Sequence, residues 1–155
     1  MDAAGTGTEL ALAITAARDR MVLFATQCPP DAWDVAVLGS TGDPRPLGVV
    51  VDHVGHAYEY LARFVADIVA GESPAIDAGL IDAINAEHAT ASAATTRRSA
   101  VERLARSGDE LAALVGGLSD DQLDLMEGRV RRLAAIGARH ADDHRAELVR
   151  ALAAT

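Results

Sequence analysis

Between Val130 and Ala151 the inward-facing residues follow one helical seam, Val130, Leu133, Gly137, His140, His144, Leu148 and Ala151, and histidine holds two of its seven places. Residues spaced by three and four face the interior of a helical bundle, so both imidazoles are aimed at a core. His140 and His144 are four residues apart. On a helix that spacing stacks them on one face with Cβ atoms about 5–6 Å apart, close enough for both rings to reach one divalent metal. Imidazoles at core positions are unfavourable unless their nitrogens are hydrogen-bonded or bound to a metal. An upstream seam, Val50, His53, Ala57, Tyr60, Phe64 and Ile68, puts His53 in the same situation. Three seam histidines on two helices point to a metal site inside a bundle.

The rest of the chain agrees with an all-α reading. Half of its 155 residues are hydrophobic but only 3% are aromatic, and Ala, Leu and Val favour closely packed helices over a sheet. That length suits a single domain over residues 1–155 with a core of its own. A formal charge of −9 leaves no basic stripe for phosphates, so neither nucleic acid nor an anionic membrane surface is an expected partner. The chain contains no lysine, which removes a P-loop and any lysine Schiff base. One cysteine, Cys28, cannot form an internal disulfide, and Met1 to Ala13 has no basic region ahead of an apolar stretch. A reducing cytoplasm is the expected location.

Helical spacing of Leu10, Leu12, Ile14, Met21, Leu23 and Phe24 predicts a first helix from Thr8 to Thr26, stopped by Cys28-Pro29-Pro30. Cys28 reads as a small buried residue at that helix end. Asp31 to Pro46, with Gly39, Ser40 and Gly42, reads as a connecting loop. Trp33 reads as an apolar plug over one end of the bundle. The second helix is predicted from Pro46 to Ala70, and a shorter one from Ile76 to Ala94. Ser99-Ala100-Val101-Glu102 has the form of a capping box, predicting a helix over Ala100–Val115 that Gly116-Gly117 ends. Ser119-Asp120-Asp121-Gln122 repeats the form before a short turn, and Gly128 separates that turn from a last helix, Arg129–Ala153. The architecture predicted is a four-helix up-and-down bundle with one extra short helix.

In an alternating bundle the second and fourth helices run the same way. The depths of His53 and of His140 and His144 would then differ by about 6–12 Å, which a modest stagger closes. Three neutral imidazoles leave positions open for water or substrate, and they suit Zn, Ni or Fe. Asp52, Asp143 and Glu147 are candidates for the carboxylates that orient the rings. Glu87, His88 and His56 are candidates for a fourth ligand or a base. No Glu-x-x-His pair, His-Glu-x-x-His motif, Gly-x-Ser-x-Gly elbow or Gly-rich nucleotide loop occurs.

The run Gly48-Val49-Val50-Val51-Asp52-His53-Val54, the pair His140 and His144, Asn85-Ala86-Glu87-His88-Ala89 and Leu118-Ser119-Asp120-Asp121-Gln122-Leu123 resemble, in order and spacing, segments of the DinB/YfiT-like superfamily. The likeness runs from about Leu10 to Leu152. It implies a four-helix bundle with a three-histidine metal centre, often dimeric, with His53, His140 and His144 at the ligand positions. It also implies kinship with S-transferases and isomerases that use mycothiol or bacillithiol. Two departures bear on substrate class: Pro46-Leu47 stands where relatives carry a Trp-containing lead-in, and the stretch from Leu123 to Arg129 is shorter.

Two functions follow as expectations. In one, the metal activates the thiol of a small cosubstrate such as mycothiol, or water, and the partners are a small-molecule substrate and a second copy of the chain in a homodimer. In the other, the bundle is a non-catalytic dimer whose histidines hold a structural metal or none. A fourth protein ligand favours the second, an open site the first.

Overall fold

The computed structural model describes residues 5–39 and 42–155. Met1 to Ala4, the start of the segment read as lacking a signal peptide, and Ser40 of the expected loop lie outside the described residues. Four long helices form the bundle: α1 (Gly7–Gln27), α2 (Leu47–Val69), α4 (Arg97–Gly116) and α6 (Leu125–Ala153). Two shorter ones, α3 (Ala78–Ala91) and α5 (Asp120–Leu123), join them. Leu104, Leu111, Leu148 and Ile14 are completely enclosed between the long helices, each contributing about 1.5–3 kcal/mol relative to exposure.

Caps set most of the boundaries. Thr6 starts α1 with a full capping box closed by Glu9, and Ser119 starts α5 in the same way with Gln122. The box expected at Ser99 is not the start of α4. That helix begins one turn earlier, where the Thr96 side chain accepts the Ser99 backbone N–H at 3.2 Å. Asp77 caps α3. Met126, Glu127 and Gly128 are left-handed, with φ of 51°, 57° and 77°, so regular helix resumes at Arg129, as the glycine suggested.

The segment expected as a plain loop has structure. Pro30–Asp34 forms a 3₁₀ turn, and β1 (Ala36–Leu38) pairs antiparallel with β2 (Pro44–Pro46). Strands of three residues are too short to show a period, and two prolines in one of them mask it further; an isolated two-stranded ribbon tolerates both because it is all edge. Trp33 plugs the end of the bundle. Its indole lies on the backbone of Gly48 and donates to the Thr95 carbonyl at 3.0 Å. Cys28 is buried at the C-cap of α1.

The helix directions depart from simple alternation. Arg18 of α1 reaches the Ala105 carbonyl of α4 while Gly7 abuts Val115, so α1 and α4 are antiparallel. Asp52 and Glu59 of α2 meet Arg103 and Arg106 of α4, so that pair is parallel. Gly137 packs on Ile14, and Asp142 pairs with Arg20, so α6 runs with α1 and against α2. The order is up, down, down, up. The physical reason is α3, which carries the chain back along the bundle so that α4 restarts at the end where α2 began. His53 is six residues from the start of α2, and His144 and His140 are nine and thirteen from the end of α6, about 9, 14 and 20 Å deep, so a modest stagger of the two antiparallel helices brings the seam histidines level.

Gly55 marks the closest approach of α2 to α4. A Cβ there would sit 2.9 Å from the Leu104 backbone nitrogen and 2.9 Å from Arg103 Cγ. Backbone cannot yield as a side-chain tip can, so Gly55→Ala is expected to cost about 1–3 kcal/mol. The check is urea unfolding: the midpoint drops in the variant, and an unchanged midpoint contradicts the packing described.

Candidate metal centre

His53 from α2 meets His140 and His144 from α6. The Nε2 atoms of His53 and His140 are 3.3 Å apart. The three rings pack edge to face, with centroids 5.2, 5.1 and 4.5 Å apart. One ligand atom from each residue lies within 4.8 Å of the other two. Nitrogens bound about 2.0–2.1 Å from a tetrahedral ion are roughly 3.3–3.4 Å from one another, so the His53–His140 pair already has the spacing of two ligands. These three side chains can hold a metal ion.

Of the three carboxylates expected to orient the rings, Glu147 does so directly. Its Oε2 is 3.0 Å from His144 Nδ1. Placed there, a carboxylate favours the proton on Nδ1 and leaves the Nε2 lone pair for a metal. Asp143 is exposed. Asp52 is buried but turns away from the triad. Its Oδ2 accepts from His88 Nε2 and from Arg103 Nη1, both at 2.7 Å. The candidates for a fourth ligand are placed elsewhere: His88 is on Asp52, His56 lies 3.4 Å from Glu59, and Glu87 is exposed. The donor set is three imidazoles with open coordination positions, which suits a catalytic metal better than a closed structural one.

The pairing of Asp52, His88 and Arg103 escaped the sequence reading. One signal was present: apart from Asp52 and His53, every residue from Leu47 to Gly55 is leucine, valine or glycine, a run the structure buries throughout. An aspartate inside that run requires a cation or donors. Nothing in the spacing identifies His88, which arrives from the crossover helix.

The three histidines line a cavity of about 360 Å³. Its walls are mostly apolar, from Val50, Tyr60 and Phe64 on α2, Leu133 and Ile136 on α6, and Ile81 on α3. Polar groups are few: Asn85, Glu147, and Asp43 and Arg45 from the ribbon. A concave apolar space with a few convergent polar groups is the usual form of a small-molecule site. The ribbon and α3 wall it, and no residue between Leu123 and Arg129 lines it.

Burial first, then the neighbouring His140, His144, His88 and His56, lowers the His53 pKa from 6.5 to about 2. Burial, then His144 and Arg139, lowers that of His140 to about 3. Both rings therefore stay neutral at physiological pH, the form that donates a lone pair. Between pH 6.5 and about 3 the unfolded chain binds protons at these positions that the folded chain does not. Stability is complete above that interval and is lost as pH falls through it. In urea unfolding of the metal-free protein, the midpoint should fall from pH 7 to pH 5, and His53→Leu should flatten the slope. A wild-type midpoint constant over that range contradicts the assignment.

Comparison with curated proteins and with solved structures gives no match. The sequence pattern of the DinB superfamily matches residues 13–148, a span that includes all three histidines and nearly the whole bundle. An all-α bundle with two helices converging on a histidine cluster accords with that match, and the chain belongs to the DinB superfamily.

Proposed function

We propose that the protein is a metal-dependent enzyme whose His53, His140 and His144 hold a divalent zinc, nickel or iron ion. Its substrate is a small molecule, and the nucleophile is a low-molecular-weight thiol of the mycothiol type, or water. S-transfer, isomerisation and hydrolysis are the reactions this chemistry serves. The observation that carries the reading is that three imidazoles, with no fourth protein ligand beside them among the described residues, open onto an apolar cavity. An ion so held lowers the pKa of a thiol or water and supplies a nucleophile at neutral pH.

The chain's own residues contribute position and environment. Glu147 fixes the His144 ring through Nδ1. Phe64, Leu133 and Ile136 keep water from the cavity walls, which strengthens electrostatic interactions inside it. Cys28 is buried at the end of α1, its Sγ 3.5 Å from the Ala25 carbonyl. It does not line the cavity, so a thiol nucleophile would arrive with the cosubstrate. The structural alternative calls for a fourth protein ligand, and His56, His88 and Glu87 are engaged or exposed elsewhere.

Metal analysis of the purified protein beside His140→Ala is the test. About one equivalent of metal per chain is expected for the wild type, with most of it lost in the variant. A mycothiol-dependent transfer assay on the metal-loaded protein follows. Equal metal content in the two proteins removes the basis of this reading.

A further inference from the structure

The ribbon that walls the cavity has two faces, and its register decides which side chains look inward. Val37 of β1 stands opposite Arg45 of β2, and residues directly opposite in an antiparallel pair project from the same face. Val37 is buried and lines the cavity. Arg45 therefore extends over that same face, where it is half-buried and lines the cavity too. The flanking Ala36, Leu38, Pro44 and Pro46 are exposed on the other face.

The ribbon also fixes where this arginine starts. Pro44 and Pro46 stand on either side of it, each with its own φ locked by the ring. Just beyond, the Leu47 amide donates to the Val35 carbonyl at 2.8 Å. A side chain launched from so constrained a backbone loses less freedom when a ligand engages it.

Charge then separates Arg45 from the other arginines. The chain has 23 acidic residues against 14 arginines, and Arg18, Arg20, Arg98, Arg103 and Arg131 each hold a carboxylate. Apart from the histidines, the charged residues lining the cavity are Arg45, Asp43 and Glu147. Glu147 is engaged by His144, and Asp43 is exposed. Arg45 forms no ion pair with either of them or with any other carboxylate among the described residues. A guanidinium beside apolar walls attracts an anion more strongly than one in open water. Its planar fork takes an acidic group through two parallel hydrogen bonds.

Resting on the reading of this cavity as the substrate site, we propose that Arg45 is its anion-recognition residue and that the substrate joins an apolar body to an acidic group. The body occupies the space among Val50, Phe64, Leu133 and Ile136, and the acid meets Arg45 at the ribbon. An uncharged molecule with the same body forgoes that contact.

Two fluorescent probes test this. 8-Anilinonaphthalene-1-sulfonate and N-phenyl-1-naphthylamine share one apolar body, and only the first carries a charge. Both are titrated into the purified wild type, Arg45→Met, Arg45→Gln and Arg150→Gln. The wild type is expected to bind both. Removing the Arg45 guanidinium should weaken the sulfonate about 10-fold or more, the size of a charge-assisted hydrogen bond, and leave the uncharged probe within about 2-fold. Arg150→Gln, which removes the same charge from the exposed end of α6, should change neither. An equal loss of both probes, an unchanged sulfonate affinity, or the same loss in Arg150→Gln overturns the proposal. So does a wild type that does not bind the sulfonate. Arg45→Met keeps an unbranched apolar stem and Arg45→Gln a polar one, so if either fails to fold the other carries the decision. Zinc content of the same proteins separates this proposal from the metal reading. Selective loss of the sulfonate in a chain that holds no metal removes the metal reading and supports the role of Arg45. A zinc-loaded chain without selective loss does the reverse.

Discussion

An interior built from alanine, valine and leucine cannot solvate an imidazole, yet α2, α3 and α6 direct four of them, His53, His88, His140 and His144, toward one another. Each ring nitrogen in such surroundings needs a lone pair matched to a proton or to a cation. That requirement organises much else in the structure. Glu147 is tied to His144 because one turn of helix lets it reach Nδ1. Asp52 is ionised in a buried position because His88 and Arg103 surround it. Burial by itself would raise its pKa, but the His88 hydrogen bond and the Arg103 charge bring it from 3.8 to about 2. The cavity beside the rings supplies room for a ligand, and its walls are mostly apolar.

The bundle's directions are what allow this convergence. With α2 and α6 antiparallel, the first third of one helix faces the last half of the other. Histidines at quite different distances from their helix starts therefore reach one level. The parallel pairing of α2 with α4 places Arg103 beside Asp52, and it depends on a connection long enough to return along the bundle. The crossover is thus more than a link, because it delivers His88, Asn85 and Ile81 to the site.

Much of the site was legible because periodicity exposes what does not belong. His53, His140 and His144 stand on seams whose other members are small or apolar, and the structure brings those three together. Helix ends were legible where a capping box closes, as at Ser119, and misleading where the box letters are present but the geometry is not, as at Ser99. Thr96 won that boundary because its backbone is already extended while its hydroxyl meets the Ser99 N–H. Helix direction was not legible. The length of the segment between α2 and α4 allows either a short antiparallel return or a full crossover, and only tertiary packing chooses. The Asp52–His88 bond lay outside reach for the same reason, since 36 residues separate its members.

The crossover helix itself is thinly held. His88 is the one residue of α3 that is fully buried, whereas α2 buries sixteen. Local opening free energies follow buried apolar contact, so α3 belongs to the low-stability end of this molecule. Its amides will exchange with solvent by partial unfolding while those of α2 wait for the whole bundle to open. Such an excursion uncovers one wall of the cavity, the one that Ile81 and Asn85 form.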